Sequence, residues 1–238
     1  MGSIVGVDGD RELRAAMLTA AERLLAASPD MNVATRAVCE AVQVTQPVLF
    51  RLFGDKRGLL DALADEGLSR YAAHKAQRPE TTDPVADLRD GWDDHMGFAD
   101  ANPALYQLMF VPRPWSRSVA REQIFVLLMA TLTRCAAAGA LAIDAEVAAR
   151  IILSANLGLA LNRIALPALF GGPGTSTQLR DTIFAQVLVK AGPPAPARPV
   201  RAAARRLRSQ LLVSGTDGLD PAEQQLLEVW LRRITDRP

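Results

Sequence analysis

The sequence predicts an all-α protein, and three observations carry that prediction. Apolar residues recur at helical spacing throughout the chain, no alternating strand pattern of useful length appears, and most periodic stretches begin at a capping residue or a proline. With 238 residues, 49% of them apolar, the chain can bury one large core or two small ones.

Taken in order, Leu13, Met17, Ala20 and Leu24 mark one stripe of a first helix that Asp10 would cap and that ends near Ala27, before Ser28-Pro29. Thr35 would cap a short second helix with Val38 and Val42 inward, and a turn over residues 42–44 leads to a third. That third helix is read from VTQPVLFRLF, Val44 to Phe53. Thr45 serves as N-cap and Gln46-Pro47 fill the first two positions, where a missing N–H costs nothing because those groups have no helical partner. Val44 and Leu49 have the spacing of a hydrophobic staple. At about 100° per residue, Leu49, Leu52 and Phe53 share one face, and Gln46, Pro47, Phe50 and Arg51 the other. Helix, tight turn, helix is the arrangement of a helix-turn-helix unit. Gly54-Asp55 ends this helix and caps a fourth, Lys56 to about His74, with Leu59, Leu60, Leu63 and Leu68 apolar.

The polar link QRPETTDP, Gln77 to Pro84, predicts a domain boundary. Beyond it, Asp83-Pro84 starts a helix to about Asp100, Asn102-Pro103 a short one to Phe110, and Ser116 or Arg117 one that runs to Ala138. Asp144 caps a long helix to about Ala168, a glycine-rich loop follows from Phe170 to Thr175, and another helix spans Thr177 to Ala191. After the linker GPPAPARP, Gly192 to Pro199, come helical patterns from Val200 to Val213 and from Pro221 to about Ile234, the latter with Asp220 and Glu223 as a capping pair. The expected domains are therefore residues 1–77, 78–191 and 192–238.

Several function classes find no support. The formal net charge of +1 implies no particular partner, and residues 1–77 carry no positive excess, so a nucleic-acid reading must rest on where charge is placed. Cys39 and Cys135 lie far apart in helical patterns and are expected as reduced thiols in a cytoplasm. The first residues have neither a basic nor an apolar segment of a signal peptide, and the apolar zone from Ile151 to Leu161 is broken by Ser154 and Asn156, so it reads as a buried helix rather than a membrane span. His74 and His95 lack the nucleophile signature of a triad. Asp93, Asp94 and His95 are adjacent and splay around a helix instead of converging on a metal, so residues 90–95 read as a solvated face. No cofactor, metal or catalytic residue is expected.

Charge placement is more informative. Lys56 and Arg57 stand in the first turn of a helix, where a cation opposes the macrodipole unless an anion joins it, and Thr35 and Arg36 repeat that chemistry at the second helix. From residue 31 to 58 the bases Arg36, Arg51, Lys56 and Arg57 meet only Glu40 and Asp55 as acids. Phosphate contacts would position such a unit, while Gln46 could pair with adenine and Pro47 and Val48 offer apolar surface to a thymine methyl.

The segment TRAVCEAVQVTQPVLFRLFGDKRGLL, Thr35 to Leu60, resembles the N-terminal helix-turn-helix of the TetR family of transcriptional regulators, and the likeness extends over about residues 11 to 75. Its most specific part runs from Thr45 through Leu49-Phe50 and Phe53 to Lys56 and Leu59-Leu60. The resemblance implies a homodimer that binds an operator in double-stranded DNA and is released by a small-molecule effector. On that basis Thr45, Gln46, Pro47 and Val48 would face bases, with Thr35, Arg36, Phe50, Arg51 and Lys56 along the backbone. Two departures stand out: Gln43 occupies a turn position where the family often has glycine, and Phe50 one where it usually has tyrosine, so a phosphate hydrogen bond is lost.

The family also implies an effector pocket within residues 84–191, for which Trp92, Met96, Met109, Phe110, Trp115, Phe125 and Met129 are candidates. The helices near residues 145–168 and 177–191 would form a four-helix dimer interface, with Ala155, Gly158 and Ala160 permitting close approach. The basic stretch from Arg198 to Arg208 reads as an amphipathic packing helix, with an extra DNA contact as the alternative. A ligand-responsive repressor is the expected function. Its rivals are a helical small-molecule-binding protein without DNA binding and a helical enzyme.

Overall fold

The computed structural model describes residues 4–28, 32–111, 119–189, 199–215 and 218–236. Among these the chain forms α1 (Ile4–Ala27), α2 (Thr35–Ala41), α3 (Gln46–Phe53), α4 (Lys56–Ala76), α5 (Pro84–Ala101), α6 (Pro103–Phe110), α7 (Val119–Ala137), α8 (Ala145–Ala165), α9 (Pro167–Phe170), α10 (Thr175–Val187), α11 (Pro199–Ser214) and α12 (Pro221–Asp236). The expected all-α class is what the chain adopts, with one isolated bridge between Leu141 and Leu188. The chain divides into two compact units, Met1–His74 with Phe98–Glu122, and Lys75–Gly97 with Gln123–Pro238.

The first unit packs α1 to α4 together with the end of α5 and α6. Met17 and Leu25 of α1, Val38 of α2, Leu49 of α3, Leu59, Leu63 and Leu68 of α4, and Tyr106 and Met109 of α6 are all fully buried in it. Tyr71 stacks obliquely on Phe98 at 4.6 Å between ring centroids, and Tyr106 on Phe110 at 4.5 Å. Close approach of α4 and α6 rests on Gly67, where a Cβ would stand 3.1 Å from both the Leu105 Cδ1 and the Met109 Sδ atoms. One expectation fails here: α1 begins at Ile4, so Asp10 lies inside the helix and caps nothing.

In the second unit the core gathers Leu88, Trp92 and Met96 of α5, Leu132 and Cys135 of α7, Ile152 of α8, and Phe184 and Val187 of α10. Asp144 caps α8 by accepting the Glu146 N–H at 2.9 Å. The long helix expected to reach Ala168 stops at Ala165, because Pro167 drives Leu166 out of helical geometry (φ −136°, ψ 62°) and starts the one-turn α9. Helix α10 starts at Thr175, two residues before the expected position, and ends at Val187. There Leu188 turns extended, and the Ala142 and Val189 N–H groups donate to Val187 and Ala140 at 2.9 and 2.8 Å. Helix α8 is long and apolar enough to cross a membrane by length and composition. It packs on α10, burying Ile152, Asn156, Leu159 and Ala160, while Val147 and Ile151 on its other side stay exposed. The expected burial therefore holds for one face.

The segment from Asp90 to His95 is the solvated face expected only at Asp90 and Asp93, which are exposed; Asp94 is half-buried and Trp92 and His95 are buried. Asp93 is held by Arg180 of α10 at 2.6 Å, Asp94 by Lys75 at 2.5 Å, and His95 is 5% exposed. Of the tail, α11 and α12 pack as a hairpin. Arg205 of the basic stretch donates to the Ala142 carbonyl and Arg208 to Asp144 at 3.0 Å, and beyond the stretch Gln210 donates to the Ala137 carbonyl at 3.4 Å, so these arginines pack against the unit. Residues 192–198 of the linker, the expected end of the preceding helix at Ala191, and the expected start of α7 at Ser116 or Arg117 lie outside the described residues.

Candidate nucleic-acid interface

Helix α2 ends in a turn that sets the direction of α3. The Val44 N–H reaches back to the Cys39 carbonyl at 3.0 Å and the Gln43 N–H to Glu40 at 3.3 Å, the paired bonds of a Schellman motif. Such a motif needs a left-handed residue at its centre, and Gln43 takes that role with φ 57°, the one positive φ outside glycine among the described residues. Extended Thr45 then feeds the first turn of α3 with Pro47 in it, as the sequence indicates. The Thr45 hydroxyl, however, makes no capping bond. Thr35 is likewise not a cap: it is the first residue of α2, and Ala34, which has no polar side chain, stands at the N-cap.

At the far end, Gly54 (φ 78°) closes α3, and Asp55 caps α4 by accepting the Gly58 N–H at 2.7 Å. The join is so tight that a Cβ on residue 58 would come 1.9 Å from the Phe53 carbonyl oxygen. Leu49 anchors α3 in the core, and Leu52 and Phe53 are half-buried, with the Arg14 guanidinium 5.2 Å above the Phe53 ring. The opposite face is open: Thr45, Gln46, Pro47, Phe50 and Arg51 are exposed, and Val48 is half-buried.

Each cation expected along a backbone is held by a neighbour. Arg36 meets Glu40 at 2.8 Å, Lys56 bonds to the Asn32 Oδ1, and Arg51 grips Asp10 with both Nη atoms, at 2.6 and 2.8 Å. The guanidinium of Arg51 holds the Asp10 carboxyl below the usual carboxylate range.

The seven effector candidates divide. Met109 and Phe110 belong to the core of the first unit and Trp92 and Met96 to that of the second, Phe125 and Met129 are half-buried in the second unit, and Trp115 lies outside the described residues. Trp92 donates its indole N–H to the Ser176 hydroxyl at 3.0 Å and meets Phe184 edge-on at 6.2 Å. Beside it the structure places Asn156, 4% exposed, whose Nδ2 donates to the Trp92 carbonyl at 3.4 Å and whose Oδ1 has no hydrogen-bond partner. Sequence reasoning used Asn156 only as a break in an apolar run, although a polar residue there was the available signal. A separate cleft of about 260 Å³ in the first unit is lined by Tyr71, Phe98 and Leu105 with Arg70, His74 and Asn102 among its polar groups, and Arg70 pairs with Glu22 at 2.6 Å. None of the seven candidates lines it, and no local pattern could have joined residues so far apart. Among the described residues no three His, Cys, Asp or Glu side chains converge on a metal site.

Residues 17–63 match the family model of bacterial regulatory proteins, tetR family. No curated protein matches the chain. Among solved structures, the chain is 26% identical to a protein of unknown function from Rhodococcus sp. RHA1, covering 73% of this chain and 94% of that one with a TM-score of 0.61. A TetR-family transcriptional regulator from Agrobacterium tumefaciens is 20% identical, with 76% and 100% covered and a TM-score of 0.58. NalD, the secondary repressor of the MexAB-OprM multidrug efflux pump in Pseudomonas aeruginosa, is 15% identical, with 77% and 100% covered and a TM-score of 0.51. These likenesses cover nearly all of each neighbour and leave roughly a quarter of this chain outside the shared fold.

Proposed function

This chain carries the N-terminal domain of the tetR family of bacterial regulatory proteins, and from that premise we propose that it is a cytoplasmic, homodimeric repressor released from its operator by a small molecule. The observation that carries the DNA part is the open face of α3. Thr45, Gln46 and Pro47 stand exposed at the helix's first turn, above a buried Leu49 that fixes the helix in place. Gln46 can read an adenine edge there, and Pro47 and Val48 supply apolar contact. In this reading Phe50 and Arg51 of that face, with Thr35, Arg36 and Lys56, would meet sugar and phosphate.

The effector part is supported by Asn156. An amide oxygen buried without a partner costs on the order of 1–3 kcal/mol, which a ligand donor reaching it would recover. Trp92, Met96, Phe125 and Met129 belong to the same unit as Asn156. Homodimerisation through α8 and α10 is supported by the exposed Val147 and Ile151 and by open space beside Gly158. In this reading residues 1–77 read DNA, 78–191 bind effector and dimerise, and 192–238 form a packed extension.

A second reading, a helical ligand-binding protein without DNA binding, is favoured by one observation: Arg36, Arg51 and Lys56 all have partners within the chain. Titrating salt against binding to DNA upstream of the protein's own gene separates the two. A repressor binds at low salt and weakens steeply as salt rises, whereas no binding at low salt removes the DNA reading. Gln46→Ala should relax base preference, and Lys56→Ala should weaken all sequences alike and flatten the salt slope by about one.

A further inference from the structure

The arginine on the exposed face of α3 is held by a carboxylate 41 residues earlier in the chain. Because α1 starts at Ile4 and not after Asp10, its first turns precede the point where the capping pattern would have begun the helix, and Asp10 pairs with α3 from within α1. Both Nη atoms of Arg51 donate to both carboxylate oxygens of Asp10, at 2.6 and 2.8 Å, a fork-to-fork pair with fixed geometry. One turn further along α1, Arg14 stacks over Phe53 of the same helix at 5.2 Å, so the two helices meet at more than one point.

An ion pair carries no net charge. What a cation contributes to sequence-independent DNA affinity is the release of counterions from phosphate, and that depends on net charge brought to the backbone. Held by Asp10, Arg51 brings almost none, and the carboxylate adds repulsion to any phosphate that approaches.

We propose that Asp10 sets the sequence-independent affinity of the DNA interface: by neutralising Arg51 it suppresses phosphate-driven binding, so that a larger share of the affinity comes from the base-reading side chains Gln46 and Pro47. The pair is half-exposed on both sides, with side-chain exposures of 56% and 43%, which limits its strength and makes it displaceable. This inference rests on the DNA-binding reading above.

The test compares the native protein with Asp10→Asn, Arg51→Ala and the double variant, on a duplex selected from random DNA and on a duplex of random sequence, each across a range of salt. Asp10→Asn should tighten binding to the random duplex by about fivefold at low salt, the ceiling for an exposed ion pair, and steepen the log–log salt slope by about 0.9. Binding to the selected duplex should tighten by the same factor, since a phosphate contact carries no sequence information, and the preference between the two duplexes should stay unchanged. Arg51→Ala should cost about fivefold more in the Asp10→Asn background than in the native one. If the proteins bind DNA but Asp10→Asn binds with unchanged or lower affinity, masking is overturned and the DNA reading stands. Equal losses from Arg51→Ala in both backgrounds overturn it in the same way. If none of the proteins binds either duplex at low salt, the DNA reading fails and this inference with it.

Discussion

Gln43 is the residue at which the helix-turn-helix carries backbone strain. An L side chain at φ 57° costs on the order of 1 kcal/mol, and the Schellman bonds at 3.0 and 3.3 Å hold it there. Gln43→Gly is therefore expected to raise stability by about 0.5–1 kcal/mol in denaturant unfolding, and a loss of stability would contradict the strain. The position was legible only through the resemblance to a family that often has glycine where this chain has Gln43. His95 was less so. Burial, with the nearby Lys75 charge, lowers its pKa from 6.5 to about 3, against the opposing pull of Asp94. Below pH 6.5 the unfolded imidazole takes a proton that the folded one refuses, so stability is full above that pH and falls as pH drops toward 3. The slope approaches one proton, at most about 1.4 kcal/mol per pH unit. The lowered carboxyls Asp10 and Asp87 add their own loss only at more acidic pH. His95→Leu should flatten the melting temperature between pH 6.5 and 4.5 (roughly the window between ordinary His and carboxylate pKa values), and an unchanged slope would place the titration elsewhere. The burial was readable after all: Leu88, Trp92, His95, Met96 and Ala99 fall on one helical stripe, and all five are buried.

At the scale of elements, stops and starts that depend on neighbours in sequence were the legible part. Asp55, Asp83, Asp144 and Asp220 cap their helices, and Asp220 and Glu223 complete the reciprocal box. Pro167 was an available stop signal, since the residue before a proline leaves helical geometry, and α8 ends accordingly. What could not be read is any feature decided across the fold. Asp10 has the composition of a cap but pairs with Arg51 of another helix, and Thr35 and Thr45 have capping chemistry without the bonds. The α3–α4 join carries its own test. Gly58→Ala sets a methyl against the Phe53 carbonyl and should cost about 3 kcal/mol, whereas Gly91→Ala and Gly97→Ala on α5, with open space around them, should be neutral or stabilising by up to about 1 kcal/mol. Thermal unfolding of the three variants measures this, and equal effects would mean that the join has room to relax.

Over the whole molecule, the all-α class could be read because helical periodicity and caps repeat along the chain. The division into compact units could not, since the first unit recruits residues 98–122 from beyond the polar link through contacts such as Tyr71 on Phe98. Effector candidates chosen by composition fell into both units for the same reason: Met109 and Phe110 fill one core, Trp92 and Met96 the other. A homodimer reading DNA through two copies of α3 makes a demand that no single chain could meet. It should recognise two half-sites related by a two-fold axis, spaced by whole turns of the duplex. Selection of bound duplexes from a random pool is the direct measurement. The account predicts enrichment of one inverted repeat, with adenine favoured where Gln46 reads and that preference relaxed in Gln46→Ala. Enrichment of no sequence, or of an asymmetric single site, would contradict it.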